Sequence, residues 1–346
     1  MGKRGWKADR IATLRQRLLG WYDICQRDLP WRHTRDPYAI WVSEVMLQQT
    51  RVAVVVERYQ DFMTRFPTLH SLAQAVEEDV LAAWSGLGYY RRARMLHKAA
   101  QYIAAQQQGS LPTTAEELRL LPGIGAYTAA AVASIAHGQP VAVVDGNVER
   151  VLCRLEGWKA DGNATRRKVE KLASELVCRL RAGDFNQAMM ELGATICTPR
   201  NPQCLECPLH ADCRTLGEHE TAPRPPMMSL EVGYGLSIRD RCRDGLAHHE
   251  VLLEQRPASL TVMPGLWELP ALQDGAVPEA ELRATVRHAI MQVNYSVRIR
   301  GVSEGDVDSL TVAGGKRRWA PLSDAGGMAL TGLARKVLTR LRLLPA

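Results

Sequence analysis

Residues 121–147 read Leu121-Pro-Gly-Ile-Gly-Ala-Tyr-Thr-Ala-Ala-Ala-Val-Ala-Ser-Ile-Ala-His-Gly-Gln-Pro-Val-Ala-Val-Val-Asp145-Gly-Asn147. Proline and two glycines interrupt the preceding helical pattern, and the small residues after Gly125 predict a new helix. Free N–H groups at such a helix start, beside exposed glycine backbone at Gly123 and Gly125, are typical of an anion site. Asp145 follows about twenty residues later. The stretch therefore predicts either a phosphate anchor with a carboxylate at fixed separation, or a helix–turn–helix with an ordinary capping aspartate.

The charge of the chain favours a polyanionic partner. Lysine and arginine exceed aspartate and glutamate by 44 − 37 = +7, which is typical of proteins that meet nucleic acid. No apolar run approaches the roughly 20 residues needed to span a bilayer. The first residues, Met-Gly-Lys-Arg-Gly-Trp-Lys, lack the apolar segment of a secretory signal. We therefore expect no membrane association and a cytoplasmic location, on the nucleoid when the chain is bound to DNA.

The segment before residue 121 offers candidate polar groups on predicted helices. Glu44 lies among apolar neighbours in Ile40-Trp-Val-Ser-Glu-Val-Met-Leu-Gln-Gln-Thr50, so desolvation is expected to raise its pKa. Gln48, Gln49 and Thr50 would suit a wedge in the DNA minor groove, or would simply end the helix. Trp31 reads either as a core aromatic or as a base contact.

A turn at Gly86-Leu-Gly-Tyr-Tyr90 precedes four cations on one predicted helix, Arg91, Arg92, Arg94 and Lys98. Aromatic and cationic side chains together favour base stacking with phosphate contacts. A solvated basic face with core tyrosines would give the same pattern.

Four cysteines form a compact group. Cys197, Cys204, Cys207 and Cys213 are separated by six, two and five residues. Such a set could hold zinc or an iron–sulfur cluster. Zinc sites usually pair two Cys-x-x-Cys knuckles across a longer gap, so the single knuckle here favours one cubane cluster.

Sequence texture changes after a proline-rich linker at 217–229. Short alternating runs predict strands near 231–238, 250–254 and 293–300, with helices near 278–286 and 329–343. We therefore predict a mainly α region at 1–216, with the cysteine loop at 197–213, and an α+β domain at 230–346.

Together these motifs resemble the helix–hairpin–helix DNA glycosylase superfamily, most closely its A/G-mismatch adenine glycosylase branch, the MutY family. The resemblance rests on the hairpin at 121–125, the Val144-Asp-Gly-Asn147 turn, the helix at 41–50 and the Cys-x6-Cys-x2-Cys-x5-Cys run. It covers residues 10–213 closely and 230–346 loosely. It implies a [4Fe–4S] cluster on the four cysteines and a Nudix-like C-terminal domain, whose clearest matching segment is Met263-Pro-Gly-Leu-Trp-Glu-Leu-Pro270.

The resemblance also implies roles for single residues. Glu44 would protonate a flipped adenine and then activate water, and Asp145 would stabilise the oxocarbenium ion, as carboxylates do in glycoside cleavage. Tyr127 and Asn147 would position these groups. The adenine pocket would comprise Trp31, Arg32, Leu47 and Glu191. Residues expected at DNA are Gln48, Gln49, Thr50, Tyr89, Gly123, Gly125, Arg287 and His288.

Two positions decide details of the expected activity. Related enzymes resembling endonuclease III carry a lysine where this chain has Tyr127, and tyrosine has no amine to form a Schiff base. The resemblance thus implies a monofunctional, monomeric glycosylase that removes adenine opposite 8-oxoguanine or guanine in duplex DNA. The family's Phe-Ser-His loop, which checks the damaged base, reads Val286-Arg287-His288 here, where Arg287 is either a donor or a solvated side chain. The alternatives are a related glycosylase for another mismatched base and a non-catalytic protein that binds mismatches.

Overall fold

A computed structural model describes residues 6–106, 109–159, 162–219, 226–243, 246–275, 277–290, 292–311 and 315–344. The described α-helices are, in chain order, α1 (Ala8–Cys25), α2 (Pro37–Leu47), α3 (Val52–Arg65), α4 (Leu69–Gln74), α5 (Glu77–Ala83), α6 (Arg91–Gln106), α7 (Ala115–Leu118), α8 (Ala126–His137), α9 (Gly146–Glu156), α10 (Gly162–Leu176), α11 (Ala182–Thr195), α12 (Val307–Leu310), α13 (Leu322–Ala325) and α14 (Gly332–Arg340). The described strands are β1 (Met228–Leu236), β2 (Ile238–Arg243), β3 (Leu246–Gln255), β4 (Trp267–Glu268), β5 (Leu282–Ile290), β6 (Val293–Gly301) and β7 (Arg317–Pro321).

The chain forms two compact units. The first comprises Met1–Ala73 and Lys98–Ala222, and the second comprises Gln74–His97 and Pro223–Ala346. The segment 74–97 thus groups with the C-terminal part of the chain, although it lies inside the stretch assigned to the first domain from the sequence. Residues 220–225 of the predicted linker lie outside the described residues.

Two helices that are apolar all round form the centre of the first unit. Asp36 caps α2 by accepting a hydrogen bond from the N–H of Tyr38, and Pro37 occupies the first turn. Every residue of α2 from Tyr38 to Met46 is buried, as is expected of a helix surrounded by others. It packs on α8, which begins after Gly125 as predicted and whose alanines permit a close approach.

Helix α11 lies against the ends of two other helices because glycine occurs at both crossings. A Cβ atom at Gly183 would lie 2.8 Å from the Cα of Ile135 at the end of α8. One at Gly193 would lie 2.6 Å from the Cβ of Asn147 in the first turn of α9. The two contacts place α11 beside the ends of α8 and α9 where the polar residues of the sequence motifs lie.

The second unit is of α+β type. One sheet has the order β1-β6-β5, with β1 parallel and β5 antiparallel to β6; in the other, β2, β4 and β7 pair antiparallel with β3. The strands expected near 231–238, 250–254 and 293–300 and the helix near 329–343 are confirmed by β1, β3, β6 and α14. Val286, Val297 and Leu338 belong to a common apolar core.

The helix expected near 278–286 was wrong. A short 3-10 turn covers Glu279–Glu281, and strand β5 follows it. Pairing of β5 along β6 settles the conformation, because it places Val286 in the core and leaves its neighbours outside. In the part of the chain that the structure describes, no helix is both long and apolar enough to cross a membrane.

Candidate active site

A cavity of about 170 Å³ opens between α2, α8, α11 and the start of α9 in the first unit. It is lined by residues from distant parts of the sequence, which these helices bring together. Nine of the residues singled out from the sequence line it: Trp31, Arg32, Glu44, Leu47, Thr50, Tyr127, Asp145, Asn147 and Glu191. Arg27, Gln187 and Met190 also line it, and the sequence motifs did not indicate them.

Glu44 is a buried carboxyl group at the wall of this cavity. Only 4% of the residue is exposed, because it lies on the fully surrounded helix α2. Burial raises its pKa to about 7, and the negative charge of Asp145 adds to the rise, while the Tyr127 hydrogen bond and the charge of Arg32 oppose it. Near neutral pH the group is therefore divided between its acid and base forms.

Tyr127 holds one oxygen of that carboxyl group. Its hydroxyl donates a 2.6 Å hydrogen bond to Oε2 of Glu44 and lies 3.5 Å from Sδ of Met190. Burial raises the pKa of Tyr127 well above its ordinary value, and the charge of Glu44 raises it further. The phenol thus stays neutral, acts as a donor and fixes the orientation of Glu44.

Asp145 caps the helix that starts at the cavity. Its Oδ1 accepts a 2.7 Å hydrogen bond from the N–H of Val148, and its Oδ2 accepts a 3.0 Å bond from Nδ2 of Asn147. The positive end of the α9 dipole also favours a negative charge here. The side chain of Asp145 is therefore held in one orientation by two hydrogen bonds.

Arg150 extends this arrangement away from the cavity. Its guanidinium donates to Oδ1 of Asn147 at 2.8 Å, to the carbonyl of Gly193 at 2.7 Å and to the carbonyl of Cys197 at 2.8 Å. The Asn147 amide that holds Asp145 is thereby oriented by a cation tied to the cysteine loop.

Glu191 forms ion pairs with two arginines. It accepts hydrogen bonds of 2.7 and 2.8 Å from the Arg27 side chain and one of 2.7 Å from Nη2 of Arg32. Burial acts to raise the pKa of Glu191, but the hydrogen bonds and charges of Arg27 and Arg32 outweigh it and lower the pKa to about 2. Glu191 is thus a permanent anion that orients two donors. Arg27 stands alone after α1 in the sequence, and only its pairing with Glu191 identifies it.

The residues expected at DNA fall into different environments. Gln49 is exposed and has a left-handed backbone (φ 56°), whereas Gln48 turns inward and donates a 3.1 Å hydrogen bond from Nε2 to Oγ1 of Thr128. Gly123 has the positive φ (75°) that the hairpin requires, and Gly125 is the exposed N-cap of α8. Tyr89, in the second unit, is 55% exposed.

The segment Val286-Arg287-His288 lies within strand β5. Val286 is in the core, Arg287 is exposed, and His288 is half-buried against Gly332 of α14. Burial and the nearby charge of Lys336 lower the pKa of His288. Alternation along the strand leaves Arg287 and His288 on opposite faces, so the two side chains do not form a single contact surface.

The four cysteines surround one small cavity in the first unit, together with Arg154 and Pro202. Nη1 of Arg154 lies 3.4 Å from Sγ of Cys197 and donates at 2.7 Å to the carbonyl of Thr198. No three His, Cys, Asp or Glu side chains among the described residues gather closely enough for a single metal ion. A cubane sets its thiolates farther apart than a single ion does, because each thiolate binds a different iron. The donor set and the adjacent guanidinium fit such an anionic cluster.

Comparison with known proteins identifies the family of this chain. Residues 42–179 match the model of the HhH-GPD superfamily of base excision DNA repair proteins, and 197–213 match the iron–sulfur binding domain of endonuclease III. Human adenine DNA glycosylase is 37% identical over 94% of this chain and 73% of its own length. The chain belongs to the adenine DNA glycosylase family. In the mouse member of this family the match is 50% identical and covers 59% of this chain but 42% of the mouse protein.

Solved structures of the superfamily match the same part of the chain. A thermostable thymine-DNA glycosylase is 30% identical, covers 60% of this chain and 97% of its own, and has a TM-score of 0.56. A trapped endonuclease III–DNA covalent intermediate is 26% identical, covers 61% and 97%, and has a TM-score of 0.53. The fold of this part of the chain is thus the helix–hairpin–helix glycosylase fold, and the loop at 197–213 is an iron–sulfur cluster loop.

Proposed function

We propose that this chain binds duplex DNA and hydrolyses the N-glycosidic bond of adenine that lies opposite 8-oxoguanine or guanine. Family membership supports the reaction class. The observation that carries the mechanism is the pair of carboxyl groups in one cavity, of which Glu44 has a pKa of about 7 and Asp145 is fixed by two hydrogen bonds. One group can give a proton while the other stabilises positive charge.

Glu44 supplies the proton. Because Oε2 accepts from Tyr127, Oε1 is the oxygen left for the proton that passes to N7 of the flipped adenine. Protonation makes the base a neutral leaving group. Glu44 is then a carboxylate and accepts a proton from the attacking water, which restores the starting state.

Asp145 acts on the sugar. Its negative charge, held by the N–H of Val148 and the amide of Asn147, stabilises the oxocarbenium ion or bonds to it transiently. Tyr127 has a hydroxyl where a Schiff base would need an amine. The product is therefore an abasic site in an uncut strand.

Arg32 and Glu191, with Trp31 and Leu47, form the adenine pocket in this proposal. The two arginines that hold Glu191 present a fixed set of donors, so the pocket discriminates by geometry. Trp31 packs edge-on against Tyr59 with ring centroids 5.4 Å apart, which makes it a rigid wall.

Gln49, Thr50 and Tyr89 contact the stack and the damaged base in this proposal, and Gly123 and Gly125 bind a backbone phosphate. On β5, His288 or Arg287 checks the base opposite adenine. We also infer that the second unit is related to Nudix domains, which its mixed sheet with the parallel pair β1 and β6 supports. We further infer that the protein is a monomer and that it is cytoplasmic, on the nucleoid when bound to DNA.

Cys197, Cys204, Cys207 and Cys213 would hold the [4Fe–4S] cluster. When bound, the cluster cross-links the loop at 197–213. Arg154 donates to the thiol and carbonyl groups of that loop and so keeps it in place beside α9.

Single-turnover assays test this function. Duplexes carry adenine opposite 8-oxoguanine, guanine or thymine, and the enzyme is wild type, Glu44→Gln or Asp145→Asn. We expect adenine release with the first two duplexes and loss of at least about a hundredfold in rate for each variant. Undiminished release in both variants would refute the mechanism. Borohydride trapping checks the monofunctional assignment, because an efficiently trapped adduct with strand cleavage would contradict it.

A further inference from the structure

The turn that presents Tyr89 is held in an unfavourable backbone conformation. Gly86 (φ 93°), Gly88 (φ 68°) and Tyr89 (φ 46°) are all left-handed. Glycine adopts this conformation readily, but for tyrosine it is strained and persists only where neighbouring groups impose it. The ring of Tyr89 is nevertheless 55% exposed. Something other than burial of the tyrosine ring must therefore fix this turn.

Both ends of the turn are anchored within the second unit. Oγ of Ser85 accepts a 2.9 Å hydrogen bond from Nε of Arg335, and the hydroxyl of Tyr90 donates at 3.0 Å to the carbonyl of Leu330. Trp84 donates from Nε1 to the carbonyl of Gly88 at 3.1 Å. These contacts fix the two flanks of the turn and the carbonyl of Gly88. None of them touches the ring of Tyr89, which has a different neighbour.

That neighbour is Arg92. Its Nη2 donates to the carbonyls of Leu87 at 3.0 Å and Gly88 at 3.2 Å. The guanidinium carbon lies 5.5 Å from the ring centroid of Trp84 and 5.5 Å from that of Tyr89. Burial lowers the pKa of Arg92 to about 10, so the side chain is still a cation at neutral pH. Arg92 thus bonds to the middle of the turn and touches the ring that the turn presents.

We propose that Arg92 is a positioning residue that orients Tyr89 for insertion into the DNA stack. It acts through Tyr89 and does not bind phosphate, unlike its exposed neighbour Arg91 on the same helix. The proposal rests on the proposed function, since it takes Tyr89 as a residue that enters the duplex. The proposal thus gives Arg92 a role different from phosphate binding, although the sequence pattern grouped it with Arg91, Arg94 and Lys98.

Two substitutions test the geometry. Arg92→Lys keeps the charge but lacks the planar fork that bonds to two carbonyls and stacks on rings. Arg92→Met keeps apolar length over Trp84 and removes the charge. With 3-fluorotyrosine placed at position 89 alone, we expect both variants to shift and sharpen the fluorine resonance of the free protein as the ring loses its fixed environment. An unchanged resonance in both variants would overturn the proposal without any reference to DNA.

A double-mutant cycle tests the route of action. Equilibrium binding to a duplex with a non-cleavable adenine analogue opposite 8-oxoguanine is measured for Arg92→Lys, Arg92→Met, Tyr89→Leu and the combined variants. We expect each single variant to bind about tenfold more weakly or worse, and the combined variants to be no weaker than Tyr89→Leu. Additive losses would show that Arg92 acts independently and would overturn the proposal.

Salt dependence provides the matched control. A phosphate contact contributes about 0.9 to the slope of log affinity against log salt concentration. We expect Arg91→Gln to reduce that slope by about this amount and Arg92→Met to leave it unchanged. A reduced slope in Arg92→Met would mean direct phosphate contact and would overturn the proposal. If Tyr89→Leu binds like wild type, the positioning role fails while adenine release by the wild-type enzyme still stands.

Discussion

Glu44 and Glu191 line one cavity, yet their pKa values, about 7 and about 2, lie on opposite sides of the ordinary glutamate value. Both are buried. Glu44 has one neutral donor, Tyr127, whereas Glu191 has the two cations Arg27 and Arg32. The charge of the hydrogen-bond donors therefore decides which glutamate can carry a proton at neutral pH.

The rate of adenine release should fall at alkaline pH, because the proposed mechanism transfers the proton on Glu44. Above about pH 7 the protonated fraction of a group with this pKa drops about tenfold for each pH unit. In Tyr127→Phe the hydrogen bond that lowers the Glu44 pKa is lost, so the fall should begin at higher pH while the maximal rate is reduced. Single-turnover rates across pH measure both effects. A midpoint that moves to lower pH in Tyr127→Phe would contradict this assignment.

Glu44→Gln and Glu191→Gln should change stability in opposite directions. The folded pKa of Glu44 is raised from 4.5 to about 7, so its favourable contribution is fully present below about pH 4.5 and is lost as pH rises through about 7. Glu44→Gln should thus be more stable than wild type by about 3 kcal/mol at about pH 8, with no gain near pH 4.5.

Glu191 has a lowered pKa, so its contribution is present above about pH 4.5 and is lost as pH falls through about 2. Glu191→Gln leaves two arginines without a counter-charge. It should destabilise the protein by about 3–5 kcal/mol near neutral pH. Thermal unfolding of both variants over a range of pH checks these signs. Equal destabilisation by the two substitutions would rule out the difference in charge state.

The sequence predicts the residues proposed for chemistry in the cavity better than it predicts the contacts that hold those residues in place. The resemblance to the glycosylase superfamily singles out Glu44, Tyr127 and Asp145, and the structure places them around one cavity. Arg27 could not be found this way, because an isolated arginine has no pattern until its partner is known. Gln48 was grouped with Gln49, yet it bonds inward to Thr128; adjacent residues at the end of a helix point in different directions, and only packing shows which one faces solvent.

The two ends of helix α9 make different contacts. Asp145, the capping residue before its first turn, lines the cavity, and its last turn carries Arg154, which bonds to the cysteine loop. Arg150 also bonds to the carbonyl of Cys197 and to Asn147, the residue whose amide holds Asp145. The cysteine loop and the Asp145 carboxyl group are therefore connected through side chains of one short helix.

Asp145→Asn and Asp145→Ala should separate capping from catalysis. Asparagine caps helices about as well as aspartate, so Asp145→Asn should leave the melting temperature near that of wild type. Alanine removes the cap and should cost about 1 kcal/mol. Both should abolish most adenine release, because neither supplies a negative charge. Circular dichroism melting with single-turnover assays measures the two effects, and retained activity in Asp145→Asn would remove the charge from the mechanism.

Helix α8 and the strands β1, β3 and β6 could be predicted from local sequence patterns, whereas β5 could not. Helix α8 follows from its turn residues and its run of alanines, and it begins at Ala126 after Gly125 as expected. Residues 282–290 contain leucine, valine and isoleucine at positions that suit a helix as well as a strand. Their pairing with β6, a tertiary contact, decides between the two.

At the scale of the whole molecule, the segment 74–97 belongs with residues 223–346. Three side chains of the segment make the connection: Ser85, Tyr90 and Arg94 bond to Arg335, Leu330 and Pro264. The second unit is therefore discontinuous in sequence. Composition and linker position did not reveal it, because the cut points lie inside helical stretches with no proline or glycine signal.

When one unit is destabilised, amide hydrogen exchange should become faster throughout that unit, including the parts that are distant in sequence. Leu338 in the second unit and Leu152 in the first are both fully buried, and replacing either with alanine should cost about 2–5 kcal/mol. Leu338→Ala should speed exchange in the segment 74–97 together with β3 and β6. Leu152→Ala should speed exchange in α1, α9 and α10 and leave 74–97 unchanged. Exchange in 74–97 that follows Leu152→Ala instead would contradict the division.

The discontinuous second unit imposes an order on synthesis at the ribosome. Leu330 and Arg335, which anchor the Tyr89 turn, are made about 230 residues after His97. At about 5–20 residues per second, the turn waits roughly 10–50 s for these partners. It is thus among the last parts of the nascent chain to become native. A product cut short before Leu330 contains Tyr89 but lacks the carbonyl that anchors Tyr90 at the flank of the turn, so early termination keeps the residue and removes one of its native supports.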